Sequence, residues 1–288
     1  MTKRLGIIGC PISHSLSPMI HQSAFAHYEW DDVLYESWEI SPELLGKFVS
    51  ECRLPDAGII GFNVTVPHKE RVIQFLDSLA PEARLSGAVN TVVNRNGKLI
   101  GYNTDGPGFM RSLMMTGFDP KSKKIVILGA GGAARGIAFS LASGGVSSIT
   151  IANRNIERAS RLSSDLNREF PDLSDVCSLS SYDVWSACER KVDLMVQATS
   201  MGMLNGPNQL DSPVAFANIF SPALAYELVY NPLTTPFIKE ADKAGVAVIS
   251  GLHMLVFQGA IAFELWFKKT APIDVMMQSA KESLGIGP

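Results

Sequence analysis

The chain has 288 residues, of which 46% are hydrophobic and 18% are charged, and its formal net charge is −3. This length exceeds that of a typical single domain, so we expect two domains, each with its own core. The small negative charge argues against a nucleic-acid-binding surface, which requires a broad basic field. The four cysteines include no Cys-x-x-Cys pair, which argues against a zinc site or a disulfide framework and favours a reducing, cytoplasmic location.

Strand and helix patterns alternate along the first hundred residues. Residues 5–9 are a short apolar strand candidate, and Ser17 followed by Pro18 is typical of a helix cap with proline in the first turn. Further strands are predicted at 35–40, at 58–66 and in a hairpin of 89–93 with Lys98–Tyr102, and further helices after Ser41-Pro42 and along 72–79.

A second alternating pattern begins near residue 106. It contains apolar strand candidates at Lys124–Leu128, 148–152, 192–196 and 246–249. Strands that alternate with helices predict a parallel, doubly wound sheet. We expect the serine-rich stretch 170–190 to be a loop. The most apolar stretch, Leu252–Phe267, is interrupted by polar residues and therefore predicts a buried helix, not a membrane span.

A glycine-rich turn follows the first of these strands, with the sequence Gly129-Ala130-Gly131-Gly132-Ala133-Ala134. Gly129 permits a tight turn, and Gly131 lets the backbone approach a pyrophosphate, whose charge the N-terminus of the next helix favours. Such a hexapeptide is weak evidence by itself, since a purely structural turn has the same composition. The strand before it and the helix after it favour dinucleotide binding.

The end of the next strand indicates which dinucleotide is bound. An NAD site usually has Asp or Glu there, which binds the ribose 2′-hydroxyl. This chain instead has Asn153-Arg154-Asn155, followed by Arg158. Two guanidinium groups favour the 2′-phosphate of NADP, because they form charge-assisted hydrogen bonds with it. The alternative is a solvent-exposed arginine pair at the start of a helix.

Polar clusters at residues 13–18, 63–69, 87–91 and 103–106 precede this second pattern. Taken alone, Lys69 is typical of a surface lysine and Asp105 of a turn residue. Because ligands bind where strand ends gather in α/β folds, the clusters together predict a binding cleft. In such a cleft Lys69 can give a proton to the alkoxide that hydride addition forms, while Asp105 orients the ammonium group.

With these residues the chain resembles the shikimate dehydrogenase family over nearly its whole length. The matching stretches are 9–18, 63–69, 87–91, 103–106, the glycine-rich turn, 197–200 and 254–258. Each is weak evidence alone, but their joint order and spacing are highly specific. The resemblance implies a two-domain α/β fold. It comprises an N-terminal substrate-binding domain (1–105, to which C-terminal helices 252–288 return) and a Rossmann-type, doubly wound NADP-binding domain (106–251).

The resemblance also implies the reaction and the residues that perform it. The reaction is reversible hydride transfer between NADPH and the C3 carbonyl of 3-dehydroshikimate. Lys69 and Asp105 would be catalytic. The substrate would be bound by Ser15, Ser17, Thr65, Lys69, Asn90, Asp105, Tyr230 and Gln258. The cofactor would be bound by Gly129, Ala130, Gly131, Gly132, Ala133, Asn153, Arg154, Asn155, Arg158, Thr199, Leu228 and Gly251. No metal is implied.

Two positions depart from the family pattern. Gln197 stands where the family often has Asn, and Glu227 stands where Asp is common. Each substitution adds a methylene group and keeps the polar group, so we expect local adjustment near the cofactor and retained activity.

Two alternative functions stay open at this stage. One is a quinate/shikimate dehydrogenase of relaxed specificity, since a pocket rejects one extra hydroxyl only weakly. The other is a non-catalytic ligand sensor of the same fold, against which the presence of Lys69 and Asp105 argues. The expected partner is a small-molecule substrate, with no nucleic acid and no membrane, and a homodimer is compatible with the sequence.

Overall fold

A computed structural model of the chain describes residues 2–13, 15–179, 192–206, 208–216 and 223–287. His14, which belongs to the first polar cluster, lies outside the described residues. The chain divides into two compact units. The first comprises Met1–Phe109 and Val256–Pro288, and the second comprises Met110–Leu255. These limits lie four residues beyond those expected from the sequence (109 against 105, and 255 against 251).

Strands and helices alternate along most of the described chain. The strands are β1 (Lys3–Gly9), β2 (Val33–Glu39), β3 (Gly61–Val64), β4 (Ser78–Leu79), β5 (Thr91–Arg95), β6 (Lys98–Tyr102), β7 (Lys124–Leu128), β8 (Ser148–Asn153), β9 (Ser174–Ser178), β10 (Leu194–Gln197), β11 (Leu224–Glu227) and β12 (Ala247–Ser250). The helices are α1 (Ser17–His27), α2 (Leu45–Glu51), α3 (Pro81–Ser86), α4 (Asp105–Met115), α5 (Gly132–Ser143), α6 (Ile156–Glu169), α7 (Pro236–Lys243), α8 (Leu252–Phe267) and α9 (Ile273–Ser283). Short 3₁₀ turns lie at Pro55–Ala57 and Arg71–Phe75.

The first unit is built on a mixed sheet with the strand order β2-β1-β3-β5-β6-β4. β1 pairs in parallel with β2 and β3, whereas β5 is antiparallel to both β3 and β6. Asn96 and Gly97 join β5 to β6 with φ values of 54° and 86°. A two-residue hairpin turn requires positive φ at both positions, which Asn-Gly adopts readily. The predicted hairpin is therefore confirmed.

The C-terminal helices pack onto this first sheet. The indole Nε1 of Trp266 in α8 donates a hydrogen bond to the carbonyl of Val92 in β5, at 3.0 Å. Arg95 at the end of β5 donates to the carbonyl of Leu265, at 2.9 Å. The core contains fully buried Phe62 and Val92. Returning the chain end to this sheet places the polar residues of α8 beside those of the first hundred residues.

Three local predictions for the first unit were wrong. Ser17 does not cap α1 with its side chain, because the helix already includes Ser17 and its N-cap is Leu16. The helix after Ser41 begins only at Leu45, after a turn. Residues 72–79 do not form an α-helix. They form a 3₁₀ turn and then β4, which pairs with β6. Sheet pairing with a segment about twenty residues further along the chain overrides the local helical pattern there.

The second unit is built on a fully parallel sheet with the order β12-β11-β10-β7-β8-β9. The chain moves outward from β7 to β9 and then returns to the other side of β7, which is the doubly wound arrangement. The prediction of a Rossmann-type sheet is confirmed. The direction of winding reverses between β7 and β10, and loops after such neighbouring strands commonly bind dinucleotides.

Two strands of this sheet were not expected from the sequence. β9 lies in the serine-rich stretch that was predicted to be a loop, and residues 180–190 of that stretch lie outside the described residues. The polar residues of β9 are satisfied locally: Asn167 donates to the carbonyl of Ser174 at 2.8 Å and accepts from its amide at 2.8 Å. β11 is the second unpredicted strand, and it carries Glu227 as its last residue.

The most apolar stretch forms helix α8, as the sequence predicted. Within the part of the chain that the structure describes, no helix has both the length and the apolar character that crossing a bilayer requires.

Candidate active site

A shielded ion pair lies in the first unit. Nζ of Lys69 is 2.5 Å from Oδ2 of Asp105, and only 13% and 6% of the two side chains are exposed. The backbone carbonyl of Lys69 accepts the amide of Val89 at 2.8 Å. Asp105 is the first residue of α4, where a carboxylate is favoured by the helix dipole. The structure therefore brings together two residues that are 36 positions apart in the chain.

Asn90 connects this ion pair to other polar residues. Its amide nitrogen lies 2.9 Å from Oδ1 of Asp105, 2.9 Å from the hydroxyl of Thr104 and 3.1 Å from Oε1 of Gln258. Its amide oxygen accepts the backbone N–H of Thr104 at 2.7 Å. Both ends of the buried carboxamide are engaged, so its orientation is fixed. Lys69, Asp105, Asn90 and Gln258 thus form one hydrogen-bonded group, which we call the Lys69 cluster.

Gln258 enters this cluster because α8 passes close to the start of α4. A Cβ atom on Gly108 would lie 2.7 Å from the backbone nitrogen of Gln258. Only glycine permits this approach without displacing the backbone of α8. Gly108 therefore allows α8 to place the Gln258 amide beside Asn90, although the two residues are 168 positions apart in the sequence.

Ser15, Ser17 and Thr65 follow the neighbouring parallel strands β1 and β3, so they lie at the sheet edge where these strands end. The backbone N–H of Ser17 donates to the hydroxyl of Ser15 at 3.2 Å. Ser17 is buried, whereas Ser15 and Thr65 are half-buried. The methyl group of Thr65 faces Gly9, where a Cβ atom would lie only 2.5 Å from it.

In the second unit the glycine-rich turn lies between β7 and α5. Gly129 has φ of 114°, and a Cβ atom there would lie 2.9 Å from the carbonyl oxygen of Ala198. Gly131, the N-cap of α5, differs: among the described residues, no atom lies within 4 Å of the Cβ it lacks. Gly129 is thus required by the fold, whereas Gly131 leaves open space beside a helix N-terminus. A helix N-terminus with open space beside it favours the binding of an anion such as a pyrophosphate.

The residues after β8 are mostly exposed. Asn155 caps α6, since its side chain accepts the backbone N–H of Arg158 at 3.0 Å. Asn153 donates to the carbonyl of Asn155 at 2.8 Å. Arg154 and Arg158 have exposed side chains. The two asparagines therefore shape the loop, and Arg154 directly follows a strand whose last residue is Asn153, not an acid.

The remaining residues that the sequence predicted to bind the cofactor lie at the ends of β10, β11 and β12. Gln197 is fully buried, accepts the amide of Thr199 at 2.7 Å and donates to the carbonyl of Met201 at 3.0 Å, so it holds this turn closed. A Cβ atom on Gly251 would lie 2.3 Å from the carbonyl oxygen of Leu228. Thr199, Leu228 and Gly251 thus share the sheet edge with Gly129. Tyr230 belongs to the second unit and is half-buried.

Glu227 is a buried acid at the end of β11. Oε1 accepts the amide of Val229 at 2.9 Å, and Oε2 accepts the hydroxyl of Thr235 at 2.7 Å. Burial raises the pKa of Glu227 to about 8, although these hydrogen bonds oppose the rise. Thr235 also caps α7 by accepting the amide of Ile238. Glu227 therefore connects the loop after β11 to the start of α7.

Sequence reasoning missed several polar residues that support the Lys69 cluster. Thr104 contacts both Asn90 and Gln258, and Thr91 donates to the amide oxygen of Asn90 at 3.2 Å. Asn63 lies within the fully buried strand β3. A signal for all three was present, because they lie inside the polar motifs and a buried polar group must find hydrogen-bond partners.

Across the described ranges, no group of three or more His, Cys, Asp or Glu side chains is arranged to hold a metal ion.

Family models match three segments of the chain. The model described as shikimate dehydrogenase substrate binding domain matches residues 7–92. The model described as shikimate / quinate 5-dehydrogenase matches residues 113–222, and the model described as shikimate 5'-dehydrogenase C-terminal domain matches residues 251–281. Segments of both units are therefore matched.

Individual relatives match nearly the full length. A protein of Methanopyrus kandleri named shikimate dehydrogenase (NADP(+)) is 44% identical over 285 residues, covering 98% of this chain and 96% of the relative. A crystal structure of a shikimate dehydrogenase in complex with NADP+ has a TM-score of 0.89 at 37% identity, covering 98% and 96% of the two chains. The shikimate 5-dehydrogenase of Thermus thermophilus in complex with NADP(H) and shikimate has a TM-score of 0.85 at 35% identity, covering 98% and 100%.

Proposed function

Because the chain belongs to the shikimate dehydrogenase family, we propose that it catalyses the reversible NADPH-dependent reduction of 3-dehydroshikimate to shikimate. The structural observation that carries this proposal is the shielded Lys69–Asp105 ion pair within a hydrogen-bonded cluster. A positioned proton donor accelerates the reduction of a carbonyl, because it supplies the proton as the hydride adds.

The first unit is proposed to bind the substrate. The hydroxyl groups of Ser15 and Ser17 would donate hydrogen bonds to its carboxylate, and Thr65 would bind a ring hydroxyl. Within the Lys69 cluster, Asn90, Asp105 and Gln258 would bind further hydroxyl groups, and Tyr230 is the remaining candidate from the sequence. Buried polar groups that pair with substrate hydroxyls reject ligands that lack them, because the unpaired groups are costly.

Lys69 is proposed to be the acid and base of the reaction. In the reductive direction its ammonium group gives a proton to the C3 oxygen as the carbonyl becomes a hydroxyl, and it regains the proton in the oxidative direction. Asp105 orients the ammonium through the 2.5 Å contact. An ammonium group has three N–H donors, so the contact with Asp105 leaves two N–H groups for the substrate oxygen. The positive charge also stabilises the developing alkoxide.

The second unit is proposed to hold NADP. The backbone from Gly129 to Ala133 would surround the pyrophosphate, and the open space beside Gly131 is the observation that supports this fit. Asn153, Arg154, Asn155 and Arg158 would bind the ribose 2′-phosphate. Thr199, Leu228 and Gly251 would line the path toward the nicotinamide. When bound, NADPH supplies the hydride.

The test is a spectrophotometric assay of nicotinamide reduction with shikimate and quinate, each with NADP+ and NAD+. We expect rapid reduction with shikimate and NADP+ and much lower kcat/KM in the other three combinations. Comparable kcat/KM for quinate would instead support the enzyme of relaxed specificity. No turnover with either acid would overturn the proposal.

Two expectations from the sequence stay predictions. One is the cytoplasmic location. The other is the homodimer, which sedimentation analysis checks.

A further inference from the structure

Tyr35 carries a buried phenol that is connected to the Lys69 cluster through Asn63. Only 2% of this residue is exposed, and its hydroxyl donates to Oδ1 of Asn63 at 2.6 Å. The ring is stacked on the imidazole of His21, with ring centroids 4.5 Å apart and an interplanar angle of 14°. Tyr35 lies in β2, which pairs with β1, whereas Asn63 lies in β3 on the other side of β1. The phenol therefore links two strands that do not pair with each other.

Asn63 extends this link to Asn90. Its amide nitrogen donates to the carbonyl of Asn90 at 3.1 Å and to the hydroxyl of Thr91 at 3.0 Å. Thr91 in turn donates to the amide oxygen of Asn90 at 3.2 Å. A continuous series of buried hydrogen bonds thus runs from Tyr35 to the Asn90 carboxamide that contacts Asp105. The phenol donor on one side and the two acceptors on the other together fix which way the Asn63 amide faces.

The phenol and the imidazole stacked on it are both buried and uncharged near pH 7. Burial raises the pKa of Tyr35 well above its usual value. Burial also lowers the pKa of His21 to about 3, so the stacked imidazole is neutral near pH 7. The Tyr35 hydroxyl therefore keeps its proton and remains a donor to Asn63.

We propose that Tyr35 is a positioning residue for the dehydrogenase reaction, because its phenol holds Asn63, and Asn63 in turn holds the backbone of Asn90 and the hydroxyl of Thr91 at the Lys69 cluster. This inference rests on the proposed function. A site whose polar groups are fixed in advance binds the substrate more tightly, since less ordering is then needed on binding.

The experiment compares Tyr35→Phe with Tyr28→Phe. The first variant keeps the stacked ring and removes only the hydroxyl. The second is a matched control in the same unit, because the Tyr28 hydroxyl donates to the backbone carbonyl of Thr270 at 2.7 Å, away from the Lys69 cluster. For Tyr35→Phe we expect KM for shikimate to rise about fivefold to tenfold, as expected for the loss of one neutral hydrogen bond, with unchanged KM for NADP+. Tyr28→Phe should keep both constants.

Coupling to Asn63 separates positioning from a general loss of packing. If the phenol acts through Asn63, the rise in KM for the double variant with Asn63→Ser is smaller than the product of the two single effects. A double-variant rise equal to that product, or a Tyr35→Phe enzyme whose KM matches that of Tyr28→Phe, overturns the inference. Wild-type protein that does not oxidise shikimate overturns the proposed function instead.

A second variant keeps the inference testable if Tyr35→Phe does not fold. Asn63→Ser removes the acceptor of the phenol O–H from the other side of the contact. The same rise in KM for shikimate, with unchanged KM for NADP+, is expected. An unchanged KM for shikimate in folded Asn63→Ser protein overturns the inference.

Discussion

The carboxylate of Asp105 is held at both oxygens: Oδ2 lies 2.5 Å from the Lys69 ammonium, and Oδ1 lies 2.9 Å from the amide nitrogen of Asn90. Two contacts from different segments leave the carboxylate little freedom to rotate. The ammonium it holds is therefore directed before a substrate arrives. Preorganised charge of this kind contributes to catalysis because no reorganisation is needed during the reaction.

Replacing Lys69 by Ala is expected to lower kcat by about 100-fold to 10,000-fold, the usual contribution of a positioned acid or base. KM for shikimate should change little, because the proton is transferred in the transition state. Steady-state kinetics in both directions measure the effect. The control is Lys47→Ala, since 74% of the Lys47 side chain is exposed. A kcat of Lys69→Ala close to that of the control would remove Lys69 from catalysis.

Replacing Arg154 by Ala is expected to weaken NADPH binding about tenfold to a hundredfold, the range for hydrogen bonds to charged groups. NADH binding should hardly change, because NADH lacks the 2′-phosphate. Fluorescence titration with both cofactors checks this difference. Arg161→Ala is the control, since Arg161 is an exposed arginine of α6 that pairs with Glu157. Equal weakening of both cofactors in Arg154→Ala would show that Arg154 does not recognise the phosphate.

Replacing Gly129 should lower the stability of the fold, whereas replacing Gly131 should lower the affinity for the cofactor. Gly129→Ala forces an L-residue into φ of 114° and against Ala198, so we expect a loss of about 1–3 kcal/mol in the free energy of unfolding. Gly131→Ala faces no described atom within 4 Å, so its stability should match that of the wild type while its affinity for NADPH falls. Denaturant unfolding and cofactor titration measure the two effects. Wild-type affinity in Gly131→Ala would argue against pyrophosphate binding at this turn.

Glu227 is expected to make stability depend on pH. Its pKa rises from 4.5 to about 8 on folding because the group is buried, so between these values the native state keeps a proton that the unfolded chain has lost. This contribution is complete below pH 4.5 and is lost as pH rises towards 8, by at most about 1.4 kcal/mol per pH unit.

The measurement is the free energy of unfolding of wild-type protein and Glu227→Gln at several pH values from about 5 to about 9, which span the expected titration. The amide variant has nearly the same shape and cannot lose a proton, so the comparison cancels the other titrating groups. We expect the wild type to lose stability relative to the variant as pH rises. Parallel stability curves would show that Glu227 titrates near its ordinary pKa.

The features that the sequence alone determined are those with local signals. Asn96-Gly97 specifies a hairpin because its two residues accept positive φ. The glycine-rich turn between a strand and a helix indicates a dinucleotide, and Asn153-Arg154 in place of an acid at the end of β8 indicates NADP. The motif order alone also indicated the family, which the comparisons confirmed.

Only the tertiary structure decided which polar residues meet. Asn90 and Gln258 are 168 positions apart, and Tyr35 meets Asn63 because β2 and β3 lie on either side of β1. The pKa of Glu227 likewise depends on burial by other segments. Hydrogen-bond partners and desolvation arise from packing between distant parts of the chain, whereas propensity and motif spacing describe only near neighbours. For this reason a sequence motif names candidate residues, and the fold determines which of them act together.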